Sequence, residues 1–138
     1  MSDRITMIIP NQSGGVMDFA NVMAERMDNA RVVKFDESLN VDGDCVLLNA
    51  SGYGYARYGA PFHLLNWVRR NKPRMKRFGV FMHEAYAVPT RITSSVFWVW
   101  RAQRFVASQL AKRSDFWISN TEYVSRWLET QAGDLPHL

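Results

Sequence analysis

A histidine and a glutamate stand side by side at His83-Glu84, at the end of the short apolar run that starts at Arg77. Imidazole and carboxylate groups transfer protons in many enzymes, and a carboxylate also binds sugar hydroxyls. Glu84 could therefore orient His83, act as a base or hold a hydroxyl group. The alternative is structural: a salt bridge from Glu84 to an arginine, with His83 satisfied by its neighbours. The residue types leave both interpretations open.

Glu84 is also the one acidic residue in a long basic segment. Between Cys45 and Ser114 the chain holds twelve of its 17 Lys and Arg residues, so this segment carries a formal charge of +11 and the remainder −7. Such a split predicts a basic face that meets nucleotide phosphate, acidic lipid or nucleic acid. Of these partners, we do not expect nucleic acid. A solvated basic surface without any partner is the alternative.

The densest basic stretch runs from Arg69 to Arg77, where six of nine residues are basic. The members of this basic cluster are Arg69, Arg70, Lys72, Arg74, Lys76 and Arg77. On a helix end and the following loop, the cluster would attract anionic lipid or phosphate. A non-catalytic module that binds anions or an anionic membrane surface through this cluster and a long basic helix is therefore one hypothesis for function.

Two glycines, Gly14 and Gly15, fall between the apolar run Ile5–Pro10 and a helical pattern that begins at Val16. Glycines let a backbone pass close to a ligand, and the N-terminus of the helix offers free N–H groups and a partial positive charge to a phosphate. The sequence therefore predicts a phosphate-binding turn here. A tight turn that merely requires positive φ is the alternative.

Three tyrosines, Tyr53, Tyr55 and Tyr58, alternate with glycines between Ser51 and Gly59. The glycines predict a mobile loop, and the tyrosines supply flat rings with hydroxyl donors that suit a sugar ring or a base. An ordered loop whose tyrosines pack on the next helix is the alternative.

Short apolar runs that alternate with amphipathic helices must position these residues. The predicted strands cover residues 5–10, 31–35, 45–49, 77–82 and 116–119. The predicted helices start at Val16, after Pro61, at Ser94 or Ser95, and after a cap at Asn120 or Thr121. This alternation predicts an α/β fold with a Rossmann-like parallel sheet and helices on both faces, and residues 1–138 fit one domain.

Ligands in open α/β sheets bind at the carboxyl edge of the strands, so the residues just after each strand are the candidates, Asn120 included. The single cysteine, Cys45, and the lack of ligand spacing among His, Cys and Asp predict no metal site. No apolar run could span a bilayer, and the first residues do not resemble a signal peptide. We therefore expect a cytoplasmic protein, with the inner face of a membrane as one surface that it could meet.

The order of these features resembles the N-terminal domain of GT-B glycosyltransferases, the large retaining group that includes sucrose synthases and phosphatidylinositol mannosyltransferases. The resemblance covers about Ile5 to Gln131. Its matching segments are Gly14 to Met27, Asn49 to Tyr55, Met82 to Glu84 and Ser114 to Tyr123.

The resemblance implies that the domain mainly binds a sugar or lipid-linked acceptor, with Tyr53, Tyr55, Tyr58 and Asn120 as candidate contacts. It also implies that the turn at Gly14-Gly15 approaches the donor diphosphate and that His83 lies near the transferred sugar. No metal or bound cofactor is implied, because the nucleotide sugar is a substrate. In this family a C-terminal domain holds most of the nucleotide-sugar site.

The sequence through Leu138 matches only the first of these two domains, so we expect the C-terminal domain to be absent. We therefore expect an acceptor-binding domain that is inactive without its C-terminal half, either as a fragment or as a subunit completed by another chain. The surface that would face the missing half could also form a homodimer. A third hypothesis is a small-nucleotide-binding regulatory domain of flavodoxin-like type, which would hold its ligand at Gly14-Gly15.

Overall fold

The computed structural model describes residues 3–11, 14–42, 45–84 and 95–138, with side chains described from residue 99 onwards in the last range. This part of the chain is an α/β domain with one parallel sheet, as predicted. The strands are β1 (Ile5–Ile9), β2 (Ala30–Lys34), β3 (Cys45–Ala50), β4 (Arg77–Met82) and β5 (Phe116–Ser119). The helices are α1 (Gly15–Glu25), α2 (Gly52–Tyr55), α3 (Phe62–Asn71), α4 (Ser95–Arg113) and α5 (Glu122–Ala132), with a short 3₁₀ turn at Lys72–Arg74.

The strands lie in the order β2-β1-β3-β4-β5, and every neighbouring pair is parallel. Strand β2 lies on one side of β1, and β3, β4 and β5 follow one another on the other side. The direction in which strands are added thus reverses between β1 and β3. Ligands of open α/β sheets bind at such a reversal.

Helices cover both faces of the sheet. Phe19 and Ala20 of α1 pack against one face, where Met7, Ile9 and Phe81 are the strand residues that they meet. Helices α3, α4 and α5 pack against the other face; their core residues include Leu64, Trp67, Val106, Leu110 and Leu128. Strands buried on both faces are apolar at successive positions, and this is why the strand segments show no alternation.

The predicted elements agree with the structure except in details at their ends. Thr121 caps α5, since its hydroxyl accepts a hydrogen bond from the backbone N–H of Val124 at 3.3 Å. The segment 51–59, predicted to be a loop, begins with the single helical turn α2. The loop expected at 89–93 and the cap expected at Ser94 lie outside the described residues. None of the described helices is long and apolar enough to cross a membrane.

Candidate functional site

An open cleft of about 550 Å³ lies at the carboxyl edge of the sheet. We call it the His83 cleft. The residues that line it follow β1, β3, β4 and β5, or belong to the first turns of α1: Pro10, Gly14, Gly15, Val16, Phe19, Ser51, Tyr53, Gly54, His83, Glu84 and Asn120. The cleft thus brings together Gly14, Gly15, Tyr53, His83, Glu84 and Asn120 from the sequence prediction. Tyr55, Tyr58 and the basic cluster do not line it.

His83 is held in the cleft by hydrogen bonds to β3. Its backbone N–H donates to the carbonyl oxygen of Ala50 at 2.9 Å, and its Nε2 lies 3.1 Å from Oδ1 of Asn49. The amide Nδ2 of Asn49 donates to the carbonyl oxygen of Ile8 at 3.2 Å, so Oδ1 is the acceptor and Nε2 of His83 carries the proton. In the neutral ring Nδ1 is then an acceptor, and no described residue donates a hydrogen bond to it.

Two aromatic rings pack against the His83 imidazole. Phe81 stacks on it with 4.4 Å between ring centroids, and Phe19 meets it edge-on at 5.2 Å. This burial lowers the pKa of His83 from 6.5 to about 4, because desolvation disfavours the charged form. The imidazole is therefore neutral at neutral pH. With so low a pKa it is a weak base, and it suits the positioning of a hydroxyl group better than the removal of its proton.

The carboxylate of Glu84 is exposed at the mouth of the cleft. Its Oε2 accepts a hydrogen bond from the hydroxyl of Ser51 at 3.1 Å. Asn49, rather than Glu84, orients the imidazole of His83. The orienting role that the sequence suggested for Glu84 is therefore not observed. Among the described residues, no lysine or arginine forms an ion pair with Glu84.

Gly14 and Gly15 are not required by the conformation of their turn. Gly14 is extended, and Gly59 is the glycine of the described residues that lies in the left-handed region, at φ 73°. The alternative that this turn needs positive φ is therefore wrong. A Cβ atom at either position would meet no atom of the described residues within 4 Å. The free N–H groups at the N-terminus of α1 favour an anionic group.

The three tyrosines lie in different environments. Tyr53 is 40% exposed, and its hydroxyl accepts a hydrogen bond from Nε2 of Gln103 at 3.0 Å. The hydroxyl of Tyr55 donates to the carbonyl oxygen of Asn49 at 2.7 Å, and its burial raises the pKa of Tyr55. Tyr58 is exposed beyond the cleft. Tyr53 therefore offers a ring to a ligand in the cleft, whereas Tyr55 supports the residue that holds His83.

The glycines of this segment allow close packing. A Cβ atom on Gly54 would lie 2.6 Å from Cγ of Pro10, and one on Gly52 would lie 2.3 Å from the carbonyl oxygen of Gly59. The approach of Gly54 to Pro10 brings the loop after β3 against the residue after β1, and the approach of Gly52 to Gly59 closes the loop after β3 on itself. They give a reason for Gly52 and Gly54 other than the mobility that the sequence predicted.

The basic cluster lies at the opposite edge of the sheet, because it extends from the end of α3 to the first residue of β4. Most of its charged groups contact the rest of the chain. Arg70 donates a hydrogen bond to the carbonyl oxygen of Glu37, and Arg74 donates to the side chains of Asn40 and Asn71. Lys72 pairs with Asp115 and donates to the carbonyl oxygen of Arg113. Lys76 pairs with Asp3, and the guanidinium of Arg77 lies over the ring of Phe116. Arg69 is exposed and has no partner among the described residues. An anion-binding role for the cluster stays a prediction, and it would be separate from the cleft.

Sequence reasoning did not single out Asn49, and it included Ser51 only as the first residue of the loop after β3. Asn49 is 1% exposed and is the one polar residue of β3, next to its last residue Ala50. A buried amide must find hydrogen-bond partners, so a polar residue at the end of an apolar run is the signal that could have revealed it. Ser51 carries no such signal, because its contact with Glu84 depends on the pairing of β3 with β4.

The described residues bring together no group of three or more His, Cys, Asp or Glu side chains that could hold a metal ion. No protein-family model, curated protein or solved structure matches the chain. Function must therefore be argued from the chemistry of the cleft.

Proposed function

We propose that this domain binds the acceptor of a nucleotide-sugar-dependent glycosyltransferase. The observation that carries the proposal is the composition of the His83 cleft. A neutral imidazole, a carboxylate and an exposed tyrosine ring surround an open space next to a helix N-terminus. This combination suits a ligand with hydroxyl groups, a ring face and a nearby phosphate.

Each group in the cleft then has a defined task. Nδ1 of His83 accepts a hydrogen bond from one sugar hydroxyl, and the carboxylate of Glu84 accepts another, since an unprotonated ring nitrogen and a carboxylate are acceptors. The amide of Asn120 can both donate and accept. Tyr53 contacts the apolar face of a sugar ring.

The donor diphosphate lies at the N-terminus of α1, beside Gly14 and Gly15, where an anion is stabilised. In the transfer, the acceptor oxygen forms a bond to the anomeric carbon of the donor. The bond from that carbon to the diphosphate breaks, and the nucleoside diphosphate leaves. The proton of the acceptor hydroxyl passes to Glu84, the one carboxylate among the described residues that line the cleft.

The described part of the cleft is open to solvent, since Gly14, Gly15, Glu84 and Asn120 are all exposed. Holding donor and acceptor in register supplies much of the rate in a two-substrate reaction. We therefore propose that a second domain or a partner chain closes the cleft and holds the nucleotide, and that the domain alone does not catalyse transfer.

A binding panel tests the proposal. Saturation-transfer difference NMR on the whole chain would compare monosaccharides, methyl glycosides and myo-inositol with UDP and GDP. We expect at least one sugar or cyclitol to bind, and the variant Glu84→Gln to weaken it, while UDP and GDP bind no more tightly than inorganic pyrophosphate. Glu129→Gln, an exposed change on α5, is the matched control. Tight binding of UDP or GDP without any sugar binding would refute the proposal.

The strand order favours a second candidate function. An order of β2-β1-β3-β4-β5 is also that of flavodoxin-like domains, which hold a phosphate-bearing ligand at the reversal between β1 and β3. A domain of this kind binds its nucleotide without a second wall. Calorimetry with UDP, GDP, AMP and FMN separates the two functions. Measurable heat with any of these four ligands supports the second candidate, and the absence of heat with all four supports the first.

A further inference from the structure

A second open pocket, of about 790 Å³, adjoins the His83 cleft. Tyr53 and Gly54 line both spaces, so the two adjoin at the loop that follows β3. The second pocket lies at the carboxyl end of β2, and its polar lining consists of Asn11, Asp36, Glu37, Arg57 and His63. We call it the Asp36 pocket. None of these residues has a part in the function proposed above.

Asp36 is held in place at the end of β2. Its Oδ1 accepts hydrogen bonds from the hydroxyl and from the backbone N–H of Ser38, the latter at 2.7 Å. These two bonds lower the pKa of Asp36, so its carboxylate is charged at neutral pH. A charged carboxylate only accepts hydrogen bonds, and its two oxygens can receive hydroxyl groups from adjacent carbons of a sugar ring.

Donors and an aromatic ring complete the pocket. The guanidinium of Arg57 lies over the ring of Tyr58 at 5.4 Å, and the ring of His63 lies 5.7 Å from Phe35. Arg57 adds hydrogen-bond donors to a pocket that Asp36 and Glu37 line with acceptors. Tyr53, fixed by Gln103, presents its ring at the junction with the cleft. Hydroxyl groups both donate and accept while the ring face is apolar, so this mixture matches a sugar.

We infer that the Asp36 pocket binds a second sugar ring of the acceptor, and that the acceptor is a glycoside of at least two rings. This inference rests on the proposed function. One ring lies in the His83 cleft, the next lies beside Asp36 and Glu37, and Tyr53 contacts the link between them. Each space alone falls within the range of about 300–1,000 Å³ that accommodates a small-molecule ligand, so a single ring would leave one of them empty.

The test compares each methyl monoglycoside with its disaccharide by calorimetry on the whole chain: methyl glucoside with maltose, methyl galactoside with lactose, and methyl mannoside with mannobiose. For at least one pair we expect the disaccharide to bind roughly tenfold more tightly than the methyl glycoside. One further hydrogen bond to a charged group has an effect of this size. The double variant Asp36→Asn, Glu37→Gln should remove this gain and leave binding of the methyl glycoside unchanged. Asp134→Asn, an exposed change near the C-terminus, is the control.

The outcomes separate this inference from the function on which it rests. If methyl glycosides bind but no disaccharide gains affinity, or if the double variant weakens both ligands equally, the inference is overturned and the proposed function stands. If no sugar binds at all, both fail. If UMP or AMP binds in an Asp36-dependent manner and the corresponding deoxyribonucleotide does not, the pocket holds a ribose and the inference is overturned. Unchanged thermal melting of each variant confirms that it is folded.

Discussion

The side chain of Asn49 joins His83 to Ile8 across three neighbouring strands. Its Nδ2 donates to the carbonyl oxygen of Ile8 on β1, and its Oδ1 accepts from Nε2 of His83 at the end of β4. Asn49 itself lies on β3, between these two strands. The imidazole is therefore positioned by the sheet, and no described residue donates a hydrogen bond to its Nδ1.

Replacing this amide should destabilise the fold. In Asn49→Ala, the buried carbonyl oxygen of Ile8 and Nε2 of His83 each lose a partner, and we expect the free energy of unfolding to fall by about 1–3 kcal/mol. Urea denaturation followed by circular dichroism measures the change. Asn66→Ala, at an exposed position on α3, is the control and should change stability by less than about 0.5 kcal/mol. Equal effects of the two substitutions would show that the Asn49 bridge is not a structural link.

The pH dependence of stability should carry the signature of His83. Its pKa is about 4 in the fold and near 6.5 when unfolded. Between these values the unfolded chain binds a proton that the folded chain does not, so stability rises with pH across this window and is lost as the pH falls. Urea midpoints measured from pH 4 to pH 7 should fall less steeply towards acid in His83→Gln than in the unchanged protein. Titration of the imidazole resonances by NMR is the independent check, and a pKa near 6.5 would contradict the burial described here.

The glycines around the cleft should respond differently to alanine. Gly15→Ala meets no atom and adds a good helix former, so we expect stability to be unchanged or raised by up to about 1 kcal/mol. Gly54→Ala drives a Cβ atom against Pro10 and should cost about 1–3 kcal/mol. Thermal melts of the two variants provide the comparison. If Gly15→Ala proves the more destabilising, the space beside α1 is needed by the fold and is not reserved for a ligand.

The basic cluster offers a separate test of membrane binding. We expect the chain to sediment with phosphatidylserine vesicles at low salt and to be released as salt rises. The triple variant Arg69→Gln, Arg74→Gln, Lys76→Gln should sediment less. Arg4→Gln, Arg26→Gln, Lys34→Gln removes the same charge from exposed positions elsewhere and should sediment as the unchanged chain does. Equal sedimentation of the two triple variants would assign binding to net charge and exclude the cluster as a specific surface.

The fold could be predicted because its physical causes are local. The apolar runs at β1 and β3 lack alternation since both faces are covered, and Thr121 caps α5 through a contact three residues away. The carboxyl-edge rule then placed Gly14, His83 and Glu84 in the same region. These inferences needed only periodicity, capping and the geometry of parallel strands.

The finer geometry of the site depends on contacts between distant residues. Tyr53 and Tyr55 are two positions apart, yet one ring is exposed to the cleft and the other hydroxyl is bonded to Asn49. Both tyrosines lie in the single helical turn of α2, which directs their side chains differently. No periodicity in so short a segment predicts this turn. Asn49 reaches His83 only because β3 lies between β1 and β4, and this order is not visible in the pattern of any one strand.

The central claim is that sugars bind in the His83 cleft, and amide chemical-shift mapping by NMR tests it most directly. The chain would be titrated with the tightest sugar of the binding panel. We predict that the largest shifts occur at Gly14, Gly15, Tyr53, His83 and Glu84, with none across the basic cluster at the opposite edge. Shifts confined to the basic cluster, or no shift with any sugar of the panel, would contradict the claim.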